Sequence, residues 1–440
     1  MYCVKLINHI YLNSSDDLAT LILYIFFLYN TNMELKKIQE NGIEATRYLE
    51  RYVNNIKGDH EIYSDTLSIY SPHEGVDSFP APVFNLPREV VNIIQADPDP
   101  RLLREIIGAD VKFVIHPNML EDQEYLDRTG LSEYTSEQSY IVSPTSSTRT
   151  LLTYDQPYTF MVKTDLEKRH YKFIRRLKGT SVEHSIAMSS ELGSICKDEA
   201  LSEFAYLPES IGIIFGDEKT GAGVLFREIV PRPLVDDTRT LVPYFSLYAN
   251  DIRNPEDRAL LSQLIDLHST KGQELAYFTE VILGKIIRNW TTLARDYGIL
   301  PELHGQNTLL ELNDNLEPER IVYRDFQGTY VDAKIREEKG LKLPFTKHLA
   351  GEESGTDRAK QFSHIYDHNV GHLLLERLTN TFIRDYPQYK YEQVTSEVAT
   401  MFNSLFPEAK DIFPKETYKV GKVVNNEVVM EKTHDNPMFR

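Results

Sequence analysis

Residues 301–328 read PELHGQNTLLELNDNLEPERIVYRDFQG, and this stretch decides the reading of the whole chain. Leu309 to Leu312 and Arg320 to Tyr323 are apolar-rich runs separated by the turn-prone Asn313-Asp314-Asn315, a pattern that predicts an antiparallel hairpin. Such a hairpin brings the start of its first strand beside the end of its second. His304, Gln306 and Asn307 then meet Arg324, Asp325 and Gly328, so an imidazole, two amides, a guanidinium and a carboxylate converge at one open end. The bland alternative is a surface hairpin with ordinary turn residues.

The arrangement resembles the one by which protein kinases and aminoglycoside phosphotransferases hold ATP and metal, a histidine-containing loop with an asparagine followed by two strands and an aspartate turn. On that likeness Asn307 and Asp325 are the metal-side ligands and Glu302 is a weaker third. Kinase-like loops carry a catalytic aspartate two residues after the histidine, and here that position is Gln306. A glutamine cannot take a proton from a hydroxyl. The site therefore suits a nucleophile that arrives ionised, such as a carboxylate attacking a nucleotide phosphorus.

Composition bounds the rest. A length of 440 residues predicts two or three domains of about 150 residues each. A hydrophobic content of 41% with 11% aromatics is ample for a buried core. The formal charge of −18 argues against a nucleic-acid binder, whose affinity rests on a basic surface. Cys3 and Cys196 lie far apart without metal-ligand spacing, which fits a reducing cytoplasm. The apolar block Leu18 to Tyr29 is too short to span a bilayer and lacks the basic flank of a secretory signal. Residues 1–32 are read as an upstream extension, with the natural beginning at Met33 and no membrane partner; a buried N-terminal helix is the alternative.

Glu34 to Ile56 is helical in pattern and reads as scaffold, Pro72 to Pro87 reads as a loop, and Val90 to Ile94 and Leu102 to Ile107 read as short helices. A boundary near Gly108 follows. Val111–Ile115, Tyr140–Val142, Tyr158–Val162, Tyr171–Leu177, Ile211–Phe215 and Gly223–Ile229 then read as strands of a β-rich lobe extending to residue 233. From residue 234 the chain turns helical around the hairpin. Phe278, Ile282, Ile286 and Trp290 form a core stripe ending at Gly298, and Phe362 to Arg384 forms a second helical block.

The β-rich lobe is locally basic. Ser143 to Thr150 reads SPTSSTRT, and Lys163 to Lys178 holds Lys163, Lys168, Arg169, Lys172, Arg175, Arg176 and Lys178 against Asp165 and Glu167. Hydroxyls and N–H groups of such a turn, with Arg149 beside them and a lysine on the next strand, can cradle phosphate oxygens. Function is the better reading for Arg149 and Lys163, and a solvated basic face for Lys168, Arg169 and Lys172.

In order along the chain, His116-Pro117, Ser146-Ser147-Thr148-Arg149-Thr150, Lys163, Thr180-Ser181, Phe226-Arg227-Glu228, Glu302-Leu303-His304-Gly305-Gln306-Asn307 and Arg324-Asp325-Phe326-Gln327-Gly328 resemble the IucA/IucC family of NRPS-independent siderophore synthetases. The resemblance implies an α+β fold shaped like a cupped hand: a shortened helical thumb over residues 33–108, β-rich fingers over 109–233 and a kinase-like palm of sheet and helices over 234–440. It implies an enzyme that uses ATP and Mg²⁺ to adenylate a citrate-like polycarboxylate and passes the acyl group to an amine or hydroxyl, usually as a homodimer. By the same resemblance Ser147, Arg149, Lys163 and Thr180 contact the nucleotide phosphates. His304, Gln306, Asn307 and Asp325 form the nucleotide, carboxylate and metal face, with His304 moving the amine proton, and Arg149 and Gln306 assisting catalysis. His184, His304 and Arg227 bind the substrate.

Three departures mark this chain. The N-terminal HPxHPxxK-type element is absent, and His73 in Ser71-Pro72-His73-Glu74-Gly75 replaces it poorly. His184 stands where the family has arginine, so a weaker response to citrate or a preference for a dicarboxylate is expected. The C-terminal basic element is matched loosely by Lys415, Lys419 and Lys422. A kinase-like phosphotransferase and a non-catalytic paralogue are the alternatives.

Overall fold

The computed structural model describes residues 35–54 and 69–440, apart from positions 74, 137, 148, 154–155, 171–172, 218–219, 237–238, 352–356 and 425–426. The extension over residues 1–32 and the start at Met33 lie outside the described residues.

Short β-branched and aromatic runs separated by turn residues give the first half of the chain its strands. These are β1 (Phe79–Leu86), β2 (Val91–Gln95), β3 (Val111–Val114), β4 (Gln138–Pro144), β5 (Thr150–Thr153) and β6 (Phe160–Thr164), then a small hairpin of β7 (Leu166–His170) and β8 (Phe173–Arg175). After the helix Gly179–Ile195 come β9 (Phe204–Tyr206), β10 (Glu209–Phe215), β11 (Ala222–Glu228) and β12 (Thr240–Pro243). Eight strands form one antiparallel sheet in the order β2-β10-β11-β6-β5-β4-β1-β3.

This topology moves the expected boundary near Gly108. β1 and β2 lie in the same sheet as the later strands, so residues 33–108 are not a separate helical thumb. Pro80 and Pro82 disguised β1 as a loop. They sit where β1 pairs with β4 only, because β3 reaches no further than Val83. A missing N–H costs little on a side without a neighbouring strand. Val90 to Ile94, which reads as a short helix, instead falls largely in β2, the edge strand beside β10. The helices Leu35–Asn41 and Ile43–Tyr52 do form, and their Leu35, Ile38, Leu49 and Tyr52 join the core built around Trp290.

The second half holds β13 (Ile299–Leu300), β14 (Thr308–Leu312), β15 (Pro318–Tyr323), β16 (Tyr330–Val331) and the C-terminal hairpin β17 (Thr417–Val424) and β18 (Glu427–His434). The small sheet runs β12-β14-β15-β9, with β15 parallel to β9. The β14–β15 hairpin is the one expected, with Thr308 opposite Tyr323. Its turn is fixed by Asn313, whose side-chain oxygen accepts the N–H groups of Asn315 (2.9 Å) and Glu317 (3.0 Å). Behind it Phe278, Ile282, Ile286 and Trp290 are all fully buried, and Gly298 ends the helix in the left-handed region at φ 59°. No helix among the described residues is long and apolar enough to cross a membrane.

The helix Gly179–Ile195 ties the two halves together. Val182 and Ile186 pack with Ile214 and Leu225 of the large sheet, while Met188, Leu192 and Ile195 belong to the Trp290 core. Close approach requires glycine on the sheet, because a Cβ at Gly212 or Gly223 would lie 2.4 or 2.6 Å from Val182. The two sheets thereby face each other across a cleft.

Candidate functional site

Hairpin geometry brings the two loops of the 301–328 stretch together. The Arg324 N–H donates to the Asn307 carbonyl at 2.9 Å, which sets the aspartate turn against the histidine loop. From the large sheet, register places Thr150 opposite Lys163, so Arg149 and Lys163 emerge side by side. Between these elements lies a cleft of about 250 Å³ lined by Arg149, Lys163, Arg175 and Arg176 and, from the other half, by Glu302, His304, Asn307, Asp325, Gln327 and Gly328.

Asp325 is the electrostatic centre. It is a non-glycine residue at φ 69°, a sparsely populated conformation that persists where surrounding contacts fix it. Lys163 Nζ donates to its Oδ1 at 2.5 Å, and Arg227 Nη2 stands 4.0 Å from its Oδ2. Burial alone would raise the carboxyl's pKa, but Lys163, Arg227 and Arg149 together hold it far below the usual carboxylate range. Burial in turn lowers Lys163, against the pull of Asp325. Arg149 is 7% exposed; it donates to the Arg175 carbonyl at 2.6 Å and to Gln327 Oε1 at 3.0 Å, across the cleft. Gly328 lies against Glu302, since a Cβ there would come within 2.0 Å of Glu302 Oε2.

His304 accepts the Gln306 N–H on Nδ1 at 3.2 Å, so the proton of the neutral ring sits on Nε2. Asn307 Nδ2 donates to the Glu302 carbonyl at 3.4 Å, leaving Oδ1 as its side-chain acceptor. Glu302, Asn307 and Asp325 thus bring three oxygen donors to one cleft. Among the described residues no cluster of three or more His, Cys, Asp or Glu could hold a metal by itself. The donor set fits a magnesium ion that completes its coordination with phosphate oxygens and water.

Several expected residues lie elsewhere. Gln306 turns its amide toward Ser146 Oγ (3.4 Å) and does not line the cleft. Ser147 bonds Thr150 Oγ1 at 3.1 Å, shaping the turn, and Thr180 is half-buried in the first turn of its helix. Arg227, expected at the substrate, is 3% exposed and sits behind Asp325, with Nε 3.2 Å from the buried Glu209. His184, also expected at the substrate, is fully buried: Nε2 donates to the Phe326 carbonyl at 3.1 Å and Nδ1 accepts the Lys347 N–H at 3.4 Å. Burial, then His348 and Lys347, push its pKa down to about 3. A neutral imidazole bonded to backbone on both nitrogens supports the aspartate turn; it cannot meet a carboxylate in solution.

The sequence reading missed Glu50 and Glu209. Both are fully buried, Glu209 against Arg227 and Glu50 against Arg324. Neither belongs to a spaced motif, so nothing local marked them.

Comparison with known proteins matches these halves separately. The IucA / IucC family model matches residues 118–249, which carry Arg149, Lys163 and Arg227. The model of the ferric iron reductase FhuF-like transporter matches residues 279–382, which contain the whole loop, hairpin and turn. The L-2,3-diaminopropanoate–citrate ligase of Staphylococcus aureus is 26% identical over 239 residues, covering 51% of this chain and 39% of that protein. The petrobactin biosynthesis protein AsbB of Bacillus anthracis superposes with a TM-score of 0.68 at 18% identity, over 93% of this chain and 80% of that one. Residues 118–249 thus carry a similarity to the IucA / IucC family, and the fold is that of a siderophore-biosynthesis protein of known structure. ATP-bound aerobactin synthetase IucA of Klebsiella pneumoniae has the same mixed α+β fold, with a TM-score of 0.60 at 16% identity over 89% of this chain and 77% of that one. The likeness to both structures is one of fold; side-chain roles rest on the geometry of the cleft.

Proposed function

We propose that the chain is an ATP-dependent ligase that adenylates a citrate-like polycarboxylate and transfers the acyl group to an amine or hydroxyl during siderophore assembly. The carrying observation is the cleft itself. Arg149, Lys163, Arg175 and Arg176 supply four cationic side chains on one wall, while Glu302, Asn307 and Asp325 supply hard oxygen ligands on the other. A triphosphate with its metal matches that division of charge.

Arg149 and Lys163 would hold phosphate oxygens, and Mg²⁺ held by Asp325, Asn307 and Glu302 would neutralise charge that builds on the leaving pyrophosphate. The acid's carboxylate attacks the α-phosphorus, the bond to the β-phosphate oxygen breaks, and an acyl adenylate remains. This step needs alignment but no base, because the nucleophile is ionised at neutral pH. It fits a loop in which the side chain of Gln306 points away from the cleft. His304 presents Nε2–H to oxygen in the first step. In the second, the amine attacks the acyl carbon, the bond to the adenylate oxygen breaks and AMP leaves; His304, whose Nδ1 is held by the Gln306 N–H, acts as a donor through Nε2–H and not as the expected proton acceptor, and the amine's proton passes to water. The S. aureus relative is a citrate ligase, which makes citrate the first acid to test. A cytoplasmic homodimer completes the reading.

The protein with ATP, Mg²⁺, an amine and a panel of polycarboxylic acids should release pyrophosphate and AMP, and excess chelator should stop it. ADP as product would assign a phosphotransferase. No turnover with any acid and amine pair would assign a non-catalytic paralogue.

A further inference from the structure

We propose that Glu50, on the N-terminal helix Ile43–Tyr52, is a positioning residue that orders all three loops of the cleft without touching substrate. Its carboxylate closes a ring of buried hydrogen bonds. Oε2 accepts the backbone N–H of Ser146 at 3.1 Å, Ser146 Oγ accepts Gln306 Nε2 at 3.4 Å, the Gln306 carbonyl accepts Arg324 Nε at 2.8 Å, and Arg324 Nη1 donates to Glu50 Oε1 at 2.5 Å. Each bond ties a different pair of segments: helix to phosphate-side turn, turn to histidine loop, histidine loop to aspartate turn, and aspartate turn back to helix. Arg149 is three residues from Ser146, His304 two from Gln306, and Asp325 adjacent to Arg324, so the ring fixes the backbone near these three residues of the cleft.

Burial makes the ring rigid. Glu50 and Ser146 are fully buried, Arg324 is 4% exposed and Gln306 9%, so none of these groups can exchange its partner for bulk water. The helix that carries Glu50 is itself pinned. Arg51 donates to the carbonyls of Pro72 (2.8 Å) and Gly75 (3.0 Å), and Tyr48 bonds Asp251 at 2.8 Å. A segment that reads as scaffold therefore delivers one charge to the middle of the site. The effect on turnover rests on the adenylation reading; the ordering of the loops does not.

Glu50→Gln is close to isosteric and keeps one acceptor, but its amide N–H₂ faces a donor in either orientation. Amide hydrogen exchange, nucleotide affinity by calorimetry and steady-state kinetics are measured on the full chain. Exchange at Ser146 and across 304–307 and 324–328 should accelerate about tenfold or more while helix Tyr391–Leu405 keeps its protection. With turnover established, kcat should fall more than KM for ATP rises, and Glu50→Asp, which keeps the charge, should recover part of it. Unchanged exchange in the three loops, or faster exchange spread evenly over the chain, overturns the proposal. If Glu50→Gln does not fold, Glu50→Asp is read by the same exchange pattern, and failure of both to fold assigns Glu50 to stability alone. A wild-type protein without nucleotide turnover would sink the adenylation reading while the exchange measurement still decides on Glu50.

Discussion

Arg149 and Arg227 are both buried arginines within reach of the same cleft, yet replacing them should produce opposite phenotypes. Arg149 donates to a backbone carbonyl and to the neutral amide of Gln327 and adds its charge to the field on Asp325, which keeps Lys163 and Arg227 when Arg149 is replaced by alanine. Its loss removes one charged donor from the phosphate wall, and a hydrogen bond to a charged group is typically worth about 1.5–3 kcal/mol. ATP affinity should drop by roughly ten- to 150-fold on that scale. Arg227 is different. Its guanidinium is the partner of Glu209, which is 0% exposed, so Arg227→Met leaves a carboxylate buried and unpaired. Breaking such a pair costs about 3–5 kcal/mol of stability. Asp325 also loses one of its cations, although Lys163 still holds it. Urea denaturation and calorimetric ATP titration of both variants separate the effects. If Arg149→Ala binds ATP like the wild type and instead loses stability as Arg227→Met does, Arg149 is a structural bridge and the phosphate wall is misassigned.

His184→Arg should destabilise the protein by on the order of 3–5 kcal/mol, since it forces a longer cation between the Phe326 carbonyl, Lys347 and His348; a melting temperature equal to wild type with tighter citrate binding would restore His184 to the substrate site. Acid should destabilise the fold from pH 6.5 downward. Burial lowers His116 and His184 to about 3 each, so the unfolded chain binds their protons first, and each costs on the order of 1–2 kcal/mol between pH 6.5 and 5. Asp165 works in the other direction, raised to about 6 by burial, so its contribution falls as pH climbs from about 4 to 6; Asp165→Asn should therefore stabilise by roughly 2–3 kcal/mol at pH 7 and much less at pH 4, read from denaturant midpoints at the two pH values. Gln306→Asp should not create a kinase: the new carboxylate would face Ser146 and lie on the ring that already holds Glu50, and ADP release by this variant would refute that orientation.

How much of this was legible in the sequence depends on whether the cause is local. The β14–β15 hairpin was readable because its signal lies within one stretch: two apolar runs and an asparagine able to bond the turn it starts. The Trp290 stripe and its stop at Gly298 were readable for the same reason. β1 was not, because whether Pro80 and Pro82 are tolerated depends on where β3 ends, some thirty residues away. The N-terminal helices read correctly as helices, but their sequence does not show that they belong to the main core and not to a separate thumb. Leu35, Leu49 and Tyr52 look like any amphipathic face, and only the folded chain shows that the face they meet belongs to the Trp290 core.

At the site, spacing identified which loops meet but not which way each side chain turns. Arg149, Lys163, Glu302, His304, Asn307 and Asp325 do line one cleft. Position 306 is the instructive exception. On the motif alone, glutamine there looks like a base replaced by a bystander, with the chemistry one substitution away from a kinase. In the fold, residue 306 is occupied elsewhere: its backbone N–H fixes the His304 tautomer, its carbonyl holds Arg324, and its amide reaches Ser146. The last of these bonds turns the side chain toward the large sheet. A proton acceptor at 306 would have to abandon that direction to reach the cleft, releasing Ser146 and opening the ring that closes on Glu50. Packing between the two sheets therefore keeps position 306 from supplying a base to the cleft, which is consistent with the ionised nucleophile of the proposed reaction.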